Sequence, residues 1–229
     1  MILCFLVLLK LRMKSSLVCQ FGLSRSGLYA VAEWYVAGIA KKCKQFPGGC
    51  VDDICFDADR SKYRLVTLEA LRLEVLRQGL ERCREFDAVH WIQLRDPYNW
   101  FSSLYRGITS GSVRWYGPVT LDKWKDYARL CLESDQWINY NRWFGDCEYR
   151  RELSAKFGFV QNCDGEPWQH IPARGGGSTF DRKKFENQAQ QMDVLQRYIH
   201  FVDDPSWRNQ FDSDVIFLAE KLFGMERPW

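Results

Sequence analysis

Residues 15–35 read SSLVCQFGLSRSGLYAVAEWY, and the fold turns on how this stretch is read. SSLVCQF (15–21) is β-rich and continuous rather than alternating, the pattern of a strand buried on both faces of a parallel sheet. Gly22 breaks the run. Beyond it Leu28, Val31, Tyr35 and Ile39 recur at helical spacing, and the FPGG turn at 46–49 ends the unit. The unit is therefore strand, tight turn, helix.

Backbone N–H groups at a helix N-terminus point outward at the positive end of the helix dipole, so such a turn suits anionic oxygens. Ser24 and Ser26 add hydroxyl donors. Arg25 supplies a permanent charge in a planar fork that matches phosphate or sulfate oxygens, and Gly27 lets the backbone approach closely. An ATP-binding loop would end in Gly-Lys-Ser/Thr; here Gly27 is followed by Leu28 and Tyr29. The hydroxyl that holds magnesium in such loops is missing, which disfavours an ordinary kinase or ATPase. Taken alone, SRSG is also compatible with a plain strand-to-helix turn.

Further along, KYRLVTLEA (62–70) begins as a strand and runs into the helical pattern LEALRLEVLRQGLERC. CVDDICF (50–56) reads as a short strand or an irregular crossover. DAVHWIQL (87–94) is a second buried strand, stopped by Asp96-Pro97, and PYNWFSSLYRG follows as a helix with proline in its first turn. TLDKWKDYARLCLES (120–134) is a helix with a Thr cap. QWINY (136–140) is a short strand, and DCEYRRELSAKFGF (146–159) a helix ending at Gly158. GEPWQHIPARGGGSTFD (165–181) is a loop, and two helical patterns close the chain near 183–200 and 212–223. Strands alternating with helices predict one layered α/β domain over 13–229 with a mainly parallel sheet.

In LRDPYNWFSSLYR (94–106), Arg95 ends a buried strand and Ser103 lies eight positions later on the next helix. The C-terminal ends of strands and the helices beside them are where open α/β sheets bind ligands. Together, SRSG after strand one and RDPYNWFSS resemble the sulfotransferase family, enzymes of the P-loop NTPase-like three-layer fold. The resemblance spans 15 to about 181 in four short stretches and implies 3′-phosphoadenosine 5′-phosphosulfate as sulfuryl donor. It implies that Ser24, Arg25, Ser26, Gly27, Leu28 and Tyr29 bind the 5′-phosphosulfate, and that Arg95 and Ser103 bind the 3′-phosphate. Tyr140, in WINY, would approach the adenine. ARGGGSTFD is similar to the family's late lid, with Arg174, Gly175, Gly176, Gly177 and Ser178 over the 3′-phosphate; a GGG run is otherwise an ordinary flexible loop. Where many members have lysine and then Gly-Thr-Thr, this chain has Arg25 and Gly27-Leu28-Tyr29, losing two hydroxyl donors.

Sulfuryl transfer needs in-line positioning and charge stabilisation on equatorial and leaving oxygens. Arg25 would neutralise the bridging oxygen, and the scheme needs no metal. A general base must reach the acceptor hydroxyl. Glu69, just past YRLVTL, is the best-placed candidate, with Asp57, Asp59 and His170 as alternatives; capping the helix that follows is a competing role for Glu69. His90, mid-strand, reads as a core histidine. RWYGP (114–118) with Trp124 suits either an aromatic acceptor groove or plain packing. The implied partners are the nucleotide donor and a small-molecule or glycan acceptor.

Composition narrows the alternatives. A net charge of +3 on 229 residues, without a continuous basic face, disfavours nucleic-acid binding. Nine cysteines include no CxxC pair and the three histidines stand far from them, so no zinc signature appears. The economical expectation is reduced thiols in a cytoplasm-like compartment, with Cys19 a small core residue. MILCFLVLL (1–9) is far short of the roughly 20 apolar residues that span a bilayer, and it lacks the flanks of a secretory signal. Residues 1–12 read as an appended segment with no membrane span, so removing them should leave folding intact.

Overall fold

The computed structural model describes residues 16–43, 63–69, 72–111, 121–159, 180–181 and 184–229, with Glu69 described as backbone. Residues 1–12, CVDDICF, Asp57, Asp59, RWYGP, Thr120, His170 and the 174–178 stretch lie outside them.

β1 (Ser16–Gly22) is followed by α1 (Leu28–Cys43), β2 (Tyr63–Glu69), α2 (Leu73–Glu85), β3 (Val89–Leu94) and α3 (Pro97–Thr109). Then come α4 (Asp122–Glu133), β4 (Trp137–Asn139), α5 (Tyr140–Gly145) and α6 (Cys147–Lys156). Two 3₁₀ turns, Ala189–Gln191 and Arg197–His200, precede α7 (Pro205–Arg208) and α8 (Ser213–Phe223). The strands form one four-stranded sheet in the order β2-β1-β3-β4, with every pairing parallel. The chain thus steps from β1 out to β2, then returns across β1 to β3 on the other side.

Side chains alternate across the sheet with the period of two that a strand imposes. Val18, Leu65, Trp91 and Ile138 enter one core with Trp34 and Tyr35 of α1, Trp143 of α5 and Leu153 of α6. Cys19, Phe21, Ile92 and Leu94 enter the other, with Leu76 of α2, Tyr98 of α3, Trp124 of α4 and Val215 of α8. Helices therefore flank the sheet on both faces. Trp34, Trp91, Trp124, Trp143 and Trp207 are all fully buried, so much of the aromatic content is core.

Several elements differ from the sequence reading. The helix after β2 begins at Leu73 rather than within the LE of the strand, because Arg72 is still extended. The α4 N-cap is Leu121, with no side-chain cap bond, rather than a threonine. The strand at 136–140 gives way to a helix at Tyr140, where the Asn139 side chain accepts from Arg142 N and caps it. No continuous helix forms over the described part of 183–200. Asn187 takes a left-handed φ of 60°, which ends the turn there, and 3₁₀ turns follow.

Candidate functional site

Where strand order reverses, adjacent loops leave toward opposite faces and open a crevice at the strands' C-terminal ends. In this sheet the reversal lies between β1 and β3. The residues at its rim are the turn after Gly22 and the junction after Leu94, the two stretches singled out from sequence. Glu69 ends β2 in register with Gly22, so its backbone also stands on this edge.

The turn is held from below. Ser26 N–H donates to Leu23 O at 3.1 Å, closing a four-residue turn whose third residue, Arg25, has φ 70°. Three successive carbonyls are then tied to β3 and α3. Ser24 O accepts from Trp100 Nε1 at 2.8 Å, Arg25 O from Arg95 Nη1 at 3.4 Å, and Ser26 O from Gln93 Nε2 at 2.6 Å. Behind Gln93 runs a buried ladder: Gln20 Nε2 donates to Gln93 Oε1 at 2.7 Å and to Leu28 O at 3.1 Å, and Thr67 Oγ1 donates to Gln20 Oε1 at 3.3 Å. Carbonyls turned into the scaffold fix the turn's face, and the first N–H groups of α1 have no acceptor inside their own helix. Ser26 is fully buried and its hydroxyl donates to Leu23 O at 2.6 Å, so it shapes the turn. The Leu28 side chain is core, lying against Gly22. Gly27 has φ 80°, and a Cβ there would meet Tyr140 Cε2 at 2.1 Å; only glycine fits between the turn and that ring.

At the second stretch Arg95 leaves β3 with 2% exposure and Ser103 sits on α3 with 1%. Arg95 Nη1 donates to Ser103 Oγ at 3.3 Å, and Ser103 Oγ donates in turn to Asn99 O at 3.1 Å. The Arg95 guanidinium lies 5.5 Å from the centroid of the Tyr140 ring. Its Nη2 donates to Val194 O, while its buried Nε makes no hydrogen bond among the described residues. Burial lowers the pKa of Arg95, and burial raises that of Tyr140, which stays a neutral phenol.

Reasoning from sequence did not find Arg197. It is buried in the second 3₁₀ turn, and its Nη1 donates to the same Ser103 Oγ at 2.9 Å. Its Nη2 approaches Asp181 at 3.5 Å, and its guanidinium lies 5.0 Å from the Phe180 ring. Phe180 and Asp181 come two and three positions after Ser178 in the sequence. Asn99 holds the segment in place: its Oδ1 accepts from Arg197 N at 2.7 Å and its Nδ2 donates to Leu195 O at 3.0 Å. The pairing of Gln20 and Gln93 also escaped notice. The signal was a glutamine at the same place in two apolar strands, LVCQF and HWIQL.

Other candidates fall elsewhere. His90 is buried on β3 with Nδ1 2.9 Å from Ala88 O, as a core histidine should be. Trp124 is core, and its indole donates to Arg95 O at 2.8 Å, so it braces the junction instead of lining a groove. Cys19 is core. Cys147 is disulfide-bonded, which corrects the expectation that all the thiols are reduced. Among the described residues no group of three or more His, Cys, Asp or Glu is arranged to hold a metal ion, and no helix is long and apolar enough to cross a membrane. No protein-family model, curated protein or solved structure matches the chain.

Proposed function

We propose that this chain is a sulfotransferase of P-loop NTPase-like fold, moving a sulfuryl group from 3′-phosphoadenosine 5′-phosphosulfate to a hydroxyl or amine acceptor, carbohydrate hydroxyls included. One observation carries the reading. The Arg95 guanidinium touches both stretches that suggested it, donating to Ser103 Oγ at 3.3 Å and to the Arg25 carbonyl at 3.4 Å. A nucleotide with phosphates at both ends of its ribose needs two anion pockets this close, and the crevice between β1 and β3 is where a doubly wound sheet offers them.

In the proposed reaction the sulfur–oxygen bond to the 5′-phosphate breaks as the acceptor oxygen bonds to sulfur, leaving 3′-phosphoadenosine 5′-phosphate. The acceptor's proton passes to Glu69, at the edge of β2. Arg25 and the loop amides offset the charge that grows on the leaving oxygen, and Tyr140 flanks the adenine side. Incubation with labelled donor and a panel of hydroxylated acceptors tests this. Label transfer that disappears in Arg25→Ala is expected; no transfer to any acceptor class, with no binding of the desulfated donor, contradicts it.

A specific feature favours a second reading, a nucleotide-binding protein that does no chemistry. Arg95 and Ser103 are engaged internally, by Val194 O and Arg197. That reading expects nucleotide binding without transfer, and little effect of Arg25→Ala.

A further inference from the structure

We propose that Arg197 is a second arginine of the pocket formed by Arg95 and Ser103, and the residue that makes this pocket select a phosphate monoester dianion, whose oxygen replaces the Val194 carbonyl on Arg95. This rests on the donor reading and extends it to a residue in the C-terminal segment.

The geometry is that of a dianion cradle. Two guanidinium groups, 2% and 5% exposed, converge on one hydroxyl oxygen from different elements, Arg95 from the end of β3 and Arg197 from a 3₁₀ turn. Two buried like charges repel one another, so this arrangement suits a ligand carrying two negative charges better than one carrying a single charge. Arg95 also keeps a buried Nε with no hydrogen bond among the described residues, a donor awaiting an acceptor. The Val194 carbonyl already lies where a ligand oxygen would lie on Arg95 Nη2.

That carbonyl can move without losing Arg197. Asn99 grips the backbone on the far side of it, at Leu195 O and Arg197 N, and so pins Arg197 to α3. Val194 N–H bonds only two residues back, to Met192 O at 2.7 Å, a local turn that a peptide rotation can reopen. Binding would therefore exchange a neutral acceptor for a charged one while both guanidinium groups stay on Ser103.

The test compares 3′-phosphoadenosine 5′-phosphate with adenosine 5′-phosphate, which lacks the 3′-phosphate, by calorimetric titration of the wild type, Arg197→Gln and Arg197→Lys. The wild type should prefer the bisphosphate. Arg197→Gln should lower that preference roughly 10- to 100-fold, the weight of one charge-assisted hydrogen bond, leave adenosine 5′-phosphate binding unchanged, and be partly rescued by lysine. Should either variant fold poorly, hydrogen exchange on the wild type decides: the bisphosphate, and not the monophosphate, should alter exchange at Val194–Arg197. A bisphosphate preference equal in the wild type and Arg197→Gln, or exchange at 194–197 indifferent to both nucleotides, overturns the proposal and leaves the donor reading standing. A wild type that binds neither nucleotide overturns both.

Discussion

Arg25 carries a φ of 70° in the third position of a four-residue turn, where glycine or asparagine is the usual occupant. Holding a long side chain there costs on the order of 1 kcal/mol, and the cost is borne by the residue proposed to offset the leaving group's charge. Arg25→Gly should therefore leave the melting temperature unchanged or higher while transfer falls at least about 100-fold. A clear drop in melting temperature would show that the side chain serves folding instead. Arg197 makes a second prediction. Burial first, and Arg95 second, push its pKa below the ordinary arginine value, against partial support from Tyr140 and Asp181. Its buried charge therefore opposes folding, and a bound dianion relieves that. The extra thermal shift given by 3′-phosphoadenosine 5′-phosphate over adenosine 5′-phosphate should be clear in the wild type and small in Arg197→Gln. An undiminished extra shift in that variant would exclude Arg197 from the pocket.

At the scale of elements, α3 connects the site to the rest of the fold. Its N-cap Asp96 is fully buried: Oδ1 accepts from Asn99 N at 2.8 Å, and Oδ2 accepts from Asn99 Nδ2 at 3.0 Å and from Asn141 Nδ2 of α5 at 2.9 Å. Asn99 then holds the Leu195–Arg197 segment. Asp96→Ala removes the cap and leaves buried amides without acceptors, which should cost roughly 2–3 kcal/mol and lower the melting temperature by about 5–10 °C. Because Asn99 loses its anchor, nucleotide binding should weaken as well; a variant of native stability and affinity would contradict this view of α3. The sequence announces this helix clearly, through Asp-Pro at its start and apolar spacing along it. It does not announce the link from Asn99 to residue 197, which joins positions 98 apart and leaves no local pattern. The false helix over 183–200 has the converse origin. Apolar residues recur there at helical spacing, yet Asn187 adopts the left-handed conformation that stops a helix.

For the whole molecule, strand order decides where a ligand can lie. Local periodicity revealed a parallel α/β sheet, and with it β1, β2 and β3 nearly to the residue. The order β2-β1-β3-β4 was not written in any one stretch, since it depends on which faces the crossing helices bury. Once that order is known, the turn after β1 and the junction after β3 become neighbours, and the Arg95 contact to both follows. Cys147 shows the limit of counting: spacing gave no pairing, yet its sulfur is in a disulfide. The central claim is that both stretches serve one nucleotide. Calorimetric titration with 3′-phosphoadenosine 5′-phosphate in the absence of magnesium, on the wild type, Arg25→Ala and Arg95→Gln, tests it most directly. The account predicts one saturable site, weakened at least tenfold by either substitution in a protein that remains folded. No binding by the wild type, or binding indifferent to both substitutions, would contradict it.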